Sequence, residues 1–535
     1  MKKLLLLIVL LIFNSAVSQE DAWVYFTNKP NASTFLANPL SMLSQRALDR
    51  RTAQNIPIDI TDVPVHQPYI DQIAAATGII VMAKSKWLNA IHIRGSQPNI
   101  QALTSLSFVQ SVDFANSSLN TRQAQPTSHK LNKVNKNAEE LVTYNYGNSA
   151  NQIQMLNGHL LHQQNYTGQG KIIAVLDSGF INANTAAPFQ NLMTNNQILG
   201  GYNFPDRNTN YFSRHNHGTN VLSCMGGFAD GQLVGTAPDA QYYLFITEDI
   251  NEENPVEESY WVEAAEVADS LGVDIINSSL GYFGYDNPSY SYTYSDMNGT
   301  TAFASRGANM AFMKGMMVVV SAGNSGNTAN PHVGVPAEAT HALAVGAVNS
   351  TEAYASFSSI GPSFDGRVKP DVCAKGLGTT VSNTAGAIVT SNGTSFSSPV
   401  MAGMVASFWS AVPSLTNVQV KQFIIESADL FANPTNQKGY GIPDFQLALT
   451  NALNRSDFAM ETPILYPNPA NEQVTLVSEL KNGTMLIFNS LGQLVKEETI
   501  TKNIQQFNLN SFTSGIYYYQ ISSPSGTIKG KIIKQ

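Results

Sequence analysis

A chain of 535 residues exceeds what one hydrophobic core covers, so a few domains are expected. Hydrophobic residues make up 43% and charged residues 13%, the balance of a folded protein rather than a disordered one. The formal net charge of −8 gives no basic footprint for nucleic acid. Lys2 and Lys3 precede an unbroken apolar run from Leu4 to Phe13, too short to cross a bilayer. Ala16-Val17-Ser18 then supplies small residues. This is the pattern of a secretory signal peptide over 1–18, with cleavage after Ser18. No later stretch approaches the ~20 apolar residues of a membrane helix. Export permits disulfides, yet Cys224 and Cys373 are the only cysteines. Both sit in apolar surroundings without metal-site spacing, which favours two buried free thiols over one bridge.

Residues 20–116 read as a small α/β unit. Trp23-Val24-Tyr25-Phe26 is a strand, 40–52 a helix, 78–82 and 90–93 a hairpin, 99–106 a helix and 108–113 a strand. That order suits one sheet with helices on one face. Residues 117–150 are rich in Asn, Ser, Gln, Thr and Lys, the composition of a linker, and maturation cleavage is expected in it.

Over 151–455 the pattern changes. Near-continuous apolar runs at 171–176, 273–276, 317–320 and 342–345 alternate with helical periodicity at 262–271 and 301–314. The fold class is therefore α/β, a doubly wound, mostly parallel sheet, with its active site beyond the carboxyl ends of the strands. Over 460–535 helical periodicity stops. Alternating strands at 473–477, 484–488, 494–498, 506–509, 516–521 and 527–533 predict a small β-sandwich.

Four short stretches each place one polar side chain among glycines and small residues. They are Ala174-Val175-Leu176-Asp177-Ser178-Gly179, His217-Gly218-Thr219, Ser321-Ala322-Gly323-Asn324-Ser325-Gly326 and Gly393-Thr394-Ser395-Phe396-Ser397-Ser398-Pro399. Alone, each is an ordinary turn or helix cap. Together Asp177, His217, Asn324 and Ser395 supply a carboxylate, an imidazole, a carboxamide and a hydroxyl. Acyl transfer through a serine needs those groups as orienter, general base, oxyanion donor and nucleophile. Ser395 would open a helix running to Phe408, whose free N–H groups suit a developing oxyanion. His215 competes with His217 for the base, but Gly218-Thr219 favours His217.

The order Asp, His, Ser is that of subtilisin, and residues from about 150 to 450 resemble the subtilases, the subtilisin-like serine peptidases. The resemblance implies a secreted serine endopeptidase made as a precursor, acting through an acyl-enzyme on peptide or protein substrates, with no cofactor required for catalysis. It also implies that residues 20–116 are a propeptide that assists folding and occupies the active site. Ser279-Leu280-Gly281 is similar to the subtilase edge that pairs with an extended peptide. Ser321-Ala322-Gly323 is similar to the opposite wall of the primary side-chain pocket. Neither wall shows a charge, which points to apolar or aromatic side chains. Three positions depart from the family pattern: Asn220 for a second histidine, Phe396 for methionine and Lys375 for proline.

Tyr466-Pro467-Asn468-Pro469, Asn489-Ser490-Leu491-Gly492-Gln493 and Gly515-Ile516-Tyr517-Tyr518-Tyr519 resemble the C-terminal sorting domain of Bacteroidetes type IX secretion. That implies contact with the secretion machinery and an extracellular or outer-membrane-surface location. Asp286, Asp296 and Asn298 lie in a tyrosine-rich insertion over 282–299 and are candidates for structural calcium, against the plainer reading of a polar surface loop. Two alternatives stay open: a catalytically silent subtilase scaffold used for surface binding, and an esterase using the same triad.

Overall fold

The structure, a computed structural model, describes residues 19–120, 144–454, 464–477, 483–502, 504–523 and 526–535. The signal-peptide reading over 1–18 and residues 121–143 of the linker expected over 117–150 lie outside the described residues; the rest of that linker includes 3₁₀ turns at Ser117–Leu119 and Gly147–Ser149. The chain divides after Asn451 into two compact units.

The first unit begins with β1 (Gln19–Phe26), buried from Asp21 onward. Its alternation explains why. Ala22, Val24 and Phe26 face a core with Ile73, Ile91, Ile93, Ile100 and Val109. Trp23 and Tyr25 turn the other way, onto the helices Val256–Leu271 and Phe303–Met313. There Trp23 Nε1 donates to Ser259 Oγ at 2.8 Å, and its ring stacks on Phe303 at 5.2 Å. Arg306 Nη1 donates to Tyr25 Oη at 2.7 Å. With β2 (Ile79–Ser85), β3 (Ala90–Ser96) and β4 (Val109–Phe114), the strand forms an antiparallel sheet in the order β2-β3-β1-β4.

Its helices are Ala32–Ala37, Gln45–Ala53, Gln67–Ala74 and Gln97–Ala102. The helix expected over 40–52 starts only at Gln45, where Ser44 caps it, because Pro39–Ser41 form a separate 3₁₀ turn. The helix expected over 99–106 ends at Ala102 and gives way to a 3₁₀ turn, Leu103–Ser105. Gln67–Ala74 lies outside the expected set. It is too short for its apolar positions to show a period. The expectation of helices on one face holds for Gln67–Ala74 and Gln97–Ala102, whose Ile73 and Ile100 join the sheet's core. Gln45–Ala53 instead meets Val256–Leu271, where Arg50 and Arg51 both pair with the buried Asp269.

The main sheet has seven strands: β5 (Ile172–Asp177), β6 (Ile198–Asn203), β9 (Gln241–Ile246), β10 (Ile275–Ser278), β11 (Met317–Ser321), β12 (Leu343–Val348) and β13 (Val372–Lys375). Two small hairpins flank it, β7 (Phe228–Ala229) with β8 (Leu233–Val234) and β14 (Thr379–Ser382) with β15 (Ile388–Ser391). The order is β13-β12-β11-β10-β5-β9-β6, every pair parallel. The chain lays strands on one side of β5, then crosses to β10 on the other. The carboxyl end of β5 thus lies at a topological switch point, where such sheets bind ligands, and Asp177 ends that strand. The helix Thr394–Ala411 runs through the core, and being apolar nearly all round it is buried along almost its whole length. Cys224 and Cys373 are both buried and unbridged.

The second unit is all β. β16 (Ile464–Tyr466), β17 (Gln473–Val477) and β20 (Ile504–Asn508) form one sheet. β18 (Gly483–Phe488), β19 (Leu494–Ile500), β21 (Gly515–Ser523) and β22 (Gly526–Lys534) form the other, in the order β19-β18-β21-β22. Val474, Leu476, Met485, Ile487, Phe507 and Ile532 share its core. Lys529, Lys531 and Lys534 lie in β22, which pairs along its length with β21.

Candidate active site

Asp177 is fully buried at the end of β5, and His217 opens the helix His217–Gly226 with a quarter of its side chain exposed. Gly218 lets the two approach. A Cβ there would fall 2.5 Å from the Gly179 carbonyl oxygen and 2.9 Å from Asp177 Cβ. His217 Nδ1 meets Asp177 Oδ1 at 2.8 Å. The same oxygen accepts the Ser178 backbone N–H at 2.8 Å, while Oδ2 is buried without a partner among the described residues. Burial works against the charged imidazole, but the Asp177 carboxylate outweighs it and holds His217 above its usual range. His215 is exposed and meets Ser178 Oγ at 3.3 Å, so Asp177 serves His217 and not its neighbour.

Ser395 is the second residue of the helix Thr394–Ala411. Gly393 precedes it at φ 146°, a conformation that an L side chain rarely adopts. Pro399 has no N–H to offer the carbonyl four residues back. That carbonyl belongs to Ser395, and it accepts Ser279 Oγ at 2.9 Å instead. Ser395 Oγ in turn donates to the Ser279 carbonyl at 3.3 Å. In this resting state the hydroxyl is turned to Ser279 rather than hydrogen-bonded to His217. Such contacts commonly tighten only with substrate present.

Asn324 is fixed through its oxygen. Oδ1 accepts the Thr394 backbone N–H at 2.9 Å and the Thr394 hydroxyl at 3.0 Å. Thr394 Oγ1 accepts the Gly323 N–H at 3.1 Å. The amide nitrogen is thereby directed at the space beside Gly393. A Cβ placed on Gly393 would lie 3.6 Å from Asn324 Nδ2 and 3.7 Å from the Ser395 backbone nitrogen. Two nitrogens that carry N–H groups therefore lie close together beside the serine hydroxyl, with Phe396 Cδ2 next to them, and such a pair suits a tetrahedral oxyanion.

The stretches Ser279, Leu280, Gly281 and Ser321, Ala322, Gly323 face one another across a cavity of about 170 Å³ that reaches Ser395. His332 and Ser359, on which the sequence reading is silent, also line it. His332 lies between two catalytic motifs and belongs to neither, so spacing gives no signal for it. The anchoring role of Thr394 is likewise absent from that reading, although the residue lies inside the nucleophile motif. Phe396 puts its ring 5.8 Å from the His217 ring, and Lys375 ends β13.

Asp286, Asp296 and Asn298 do not fit a calcium site. Asp286 accepts the Glu253 N–H, Asp296 caps its own 3₁₀ turn, and Asn298 Oδ1 accepts the N–H groups of Thr300 and Thr301. Among the described residues no three His, Cys, Asp or Glu side chains are grouped to hold a metal.

A model of the Subtilase family matches residues 168–443. The Peptidase S8 propeptide domain of Bacteroidota matches 21–132, and the secretion system C-terminal sorting domain matches 464–535. The chain is 30% identical to Subtilisin NAT of Bacillus subtilis subsp. natto over 299 residues, 55% of this chain and 70% of the relative. It is 30% identical to Subtilisin of Bacillus pumilus over 299 residues, 55% of this chain and 97% of the relative. It is 28% identical to the thermostable alkaline protease of Halalkalibacterium halodurans over 305 residues, 56% of this chain and 73% of the relative.

Proposed function

The chain belongs to the subtilase family, and from that premise we propose that Asp177, His217, Ser395 and Asn324 perform its peptide hydrolysis. The protein is a secreted serine endopeptidase made as a precursor, with a propeptide domain ahead of its catalytic domain and a type IX sorting domain after it. An extended peptide pairs with the edge at Ser279-Leu280-Gly281 and lays one side chain in the cavity between that edge and Ser321-Ala322-Gly323. His217 takes the Ser395 proton as Oγ attacks the scissile carbonyl. Asp177 holds the imidazole tautomer and stabilises its charged form. The oxyanion falls between Asn324 Nδ2 and the Ser395 N–H. His217 then gives its proton to the leaving amine, and water, deprotonated by the same imidazole, releases the acyl group.

The observation that carries this reading is the pair of nitrogens, Asn324 Nδ2 and Ser395 N, close together beside Gly393, with the 2.8 Å His217–Asp177 contact. A silent scaffold would have no need of that arrangement. The peptide-pairing edge and the propeptide favour a peptidase over an esterase. Residues 20–116 act as an inhibitor until cleaved, with β1 and β3 set on the helix Val256–Leu271. The test is Ser395→Ala in the mature enzyme. Peptide hydrolysis should vanish while the thermal transition persists. Turnover at the wild-type rate would overturn the assignment.

A further inference from the structure

The cavity beside Ser395 is more polar than its two walls predict. Beyond Ser321 it is lined by Ser325, Asn330, His332 and Ser359, and among the described residues no Asp, Glu, Lys or Arg lines it. His332 is held edge and face. Its backbone bridges to Ile360, and its ring stacks on Tyr294 with centroids 3.9 Å apart and planes at 21°. Tyr294 comes from the tyrosine-rich insertion and is pinned by its own hydroxyl, which donates to the Pro362 carbonyl at 2.9 Å. Phe364 packs edge-on against the same ring. With one face of the imidazole covered by Tyr294, His332 still has a buried Nδ1 without a hydrogen-bond partner among the described residues. Nor does it form an ion pair among them. Ser359 Oγ accepts the Ser325 N–H at 3.0 Å, which leaves its own proton to donate.

We propose that this cavity selects glutamate as the residue preceding the scissile bond, with His332 as the specificity-determining residue and Tyr294 as the residue that positions it. The proposal rests on Ser395 being the nucleophile. A carboxylate is an acceptor only, and it enters a dry site at low cost only where donors await it. Serine hydroxyls and an imidazole supply them here. A lysine or arginine side chain would find no carboxylate to meet. An apolar side chain would strip water from the serine hydroxyls and give nothing back. Burial holds the imidazole below its usual range, against the opposing pull of the Gly361 and Ile360 backbone. An arriving carboxylate opposes that effect and draws a proton onto the ring.

The precursor carries a matching substrate of its own. Over 117–150, where maturation cleavage is expected, Glu139 and Glu140 are the only acidic residues. They stand just ahead of Tyr144, where the described catalytic unit resumes. Cleavage of the Glu140–Leu141 bond would fall between the described residues 19–120 and 144–454.

The experiment measures kcat/KM on one peptide series that differs only in the residue before the cut: Glu, Gln, Leu, Phe or Lys. Each enzyme preparation is first titrated with a fluorophosphonate, so that only active, folded sites are counted. Glu is expected to exceed Leu, Phe and Lys by at least about tenfold. His332→Leu and Tyr294→Leu should each lower the Glu-to-Leu ratio by at least about tenfold, and His332→Gln, which keeps a donor, by less. N-terminal sequencing of the mature wild type should read Leu141 first. Preference for Leu or Phe, or a ratio that His332→Leu leaves unchanged, would overturn the proposal and spare the catalytic assignment. A mature N-terminus following a basic or apolar residue would also count against it. No labelling and no cleavage of any member would overturn both.

Discussion

Ser279 and Ser395 hold each other through two hydrogen bonds, Ser279 Oγ to the Ser395 carbonyl at 2.9 Å and Ser395 Oγ to the Ser279 carbonyl at 3.3 Å. The first exists because Pro399 leaves that carbonyl without its helical N–H. A residue that reads as a helix defect thus ties the proposed peptide-pairing edge to the proposed nucleophile. Ser279→Ala should leave the carbonyl unpaired, costing about 1–3 kcal/mol of stability. Pro399→Ala should restore an N–H to it. In a double-mutant cycle by thermal denaturation, the double variant should be less destabilised than the sum of the two singles. Strict additivity would show that the two residues are not coupled.

Asp177 holds His217 above its usual range, so the base is deprotonated only at higher pH than a free imidazole. Activity needs the neutral ring. The acid limb of kcat/KM should therefore lie above the ordinary histidine value, with activity rising as pH rises through it. Asp177→Asn should remove the stabilising charge and cut kcat on the order of 10⁴-fold. A pH–rate profile whose acid limb lies below the ordinary histidine range would contradict this electrostatic account.

Asn324→Ala should lower kcat by roughly 10²–10³-fold with little change in KM, since the amide meets charge that develops only in the transition state. Thr394 tests how that amide is aimed. Thr394→Val removes the hydroxyl that bridges Asn324 Oδ1 and the Gly323 N–H. Steady-state kinetics should show a smaller loss, about 10- to 100-fold, again in kcat. A loss confined to KM would place Asn324 in ground-state binding instead.

Glu266 joins the propeptide to the catalytic domain. It accepts Ser85 Oγ at 2.6 Å and the N–H groups of Lys86 and Trp87, each at 2.9 Å. Glu266→Ala should weaken inhibition by the isolated propeptide roughly 10- to 100-fold. Burial against the propeptide pushes this carboxyl up to about 7 from an ordinary 4.5. A carboxyl raised in the docked state takes up a proton on docking. The propeptide should therefore bind more tightly near pH 5 and progressively more weakly as pH rises towards 7. Inhibition constants measured across that range should show the trend in the wild type and lose it in Glu266→Gln.

The sequence was most legible where one physical signal dominated. β5, β11 and β12 lie at the centre of the sheet, buried throughout, and each reads as a largely apolar run, while β10 adds Asn277 and Ser278 to the apolar pair Ile275-Ile276. β6, by contrast, is interrupted by Gly200 and Gly201, and β13 is only four residues long. β9, with Tyr242, Tyr243 and Phe245, had the composition of a strand and lay outside the expected set all the same. Asp177, His217, Asn324 and Ser395, to which we assign the chemistry, each sit in a short local motif that the sequence displays. His332 was not legible, because its part depends on Tyr294 and Ser359, brought to it only by the fold. The calcium candidates show the opposite case. Oxygen-rich side chains in a loop looked like ligands, and local turns had already used them.

The central claim is that Ser395 is a nucleophile activated by His217. The most direct test is to label the mature enzyme with a fluorophosphonate and map the adduct by peptide mass spectrometry. One adduct per chain is expected, on the peptide containing Ser395, absent in Ser395→Ala and strongly slowed in His217→Ala. An unlabelled wild type, or labelling that persists in Ser395→Ala, would contradict the account.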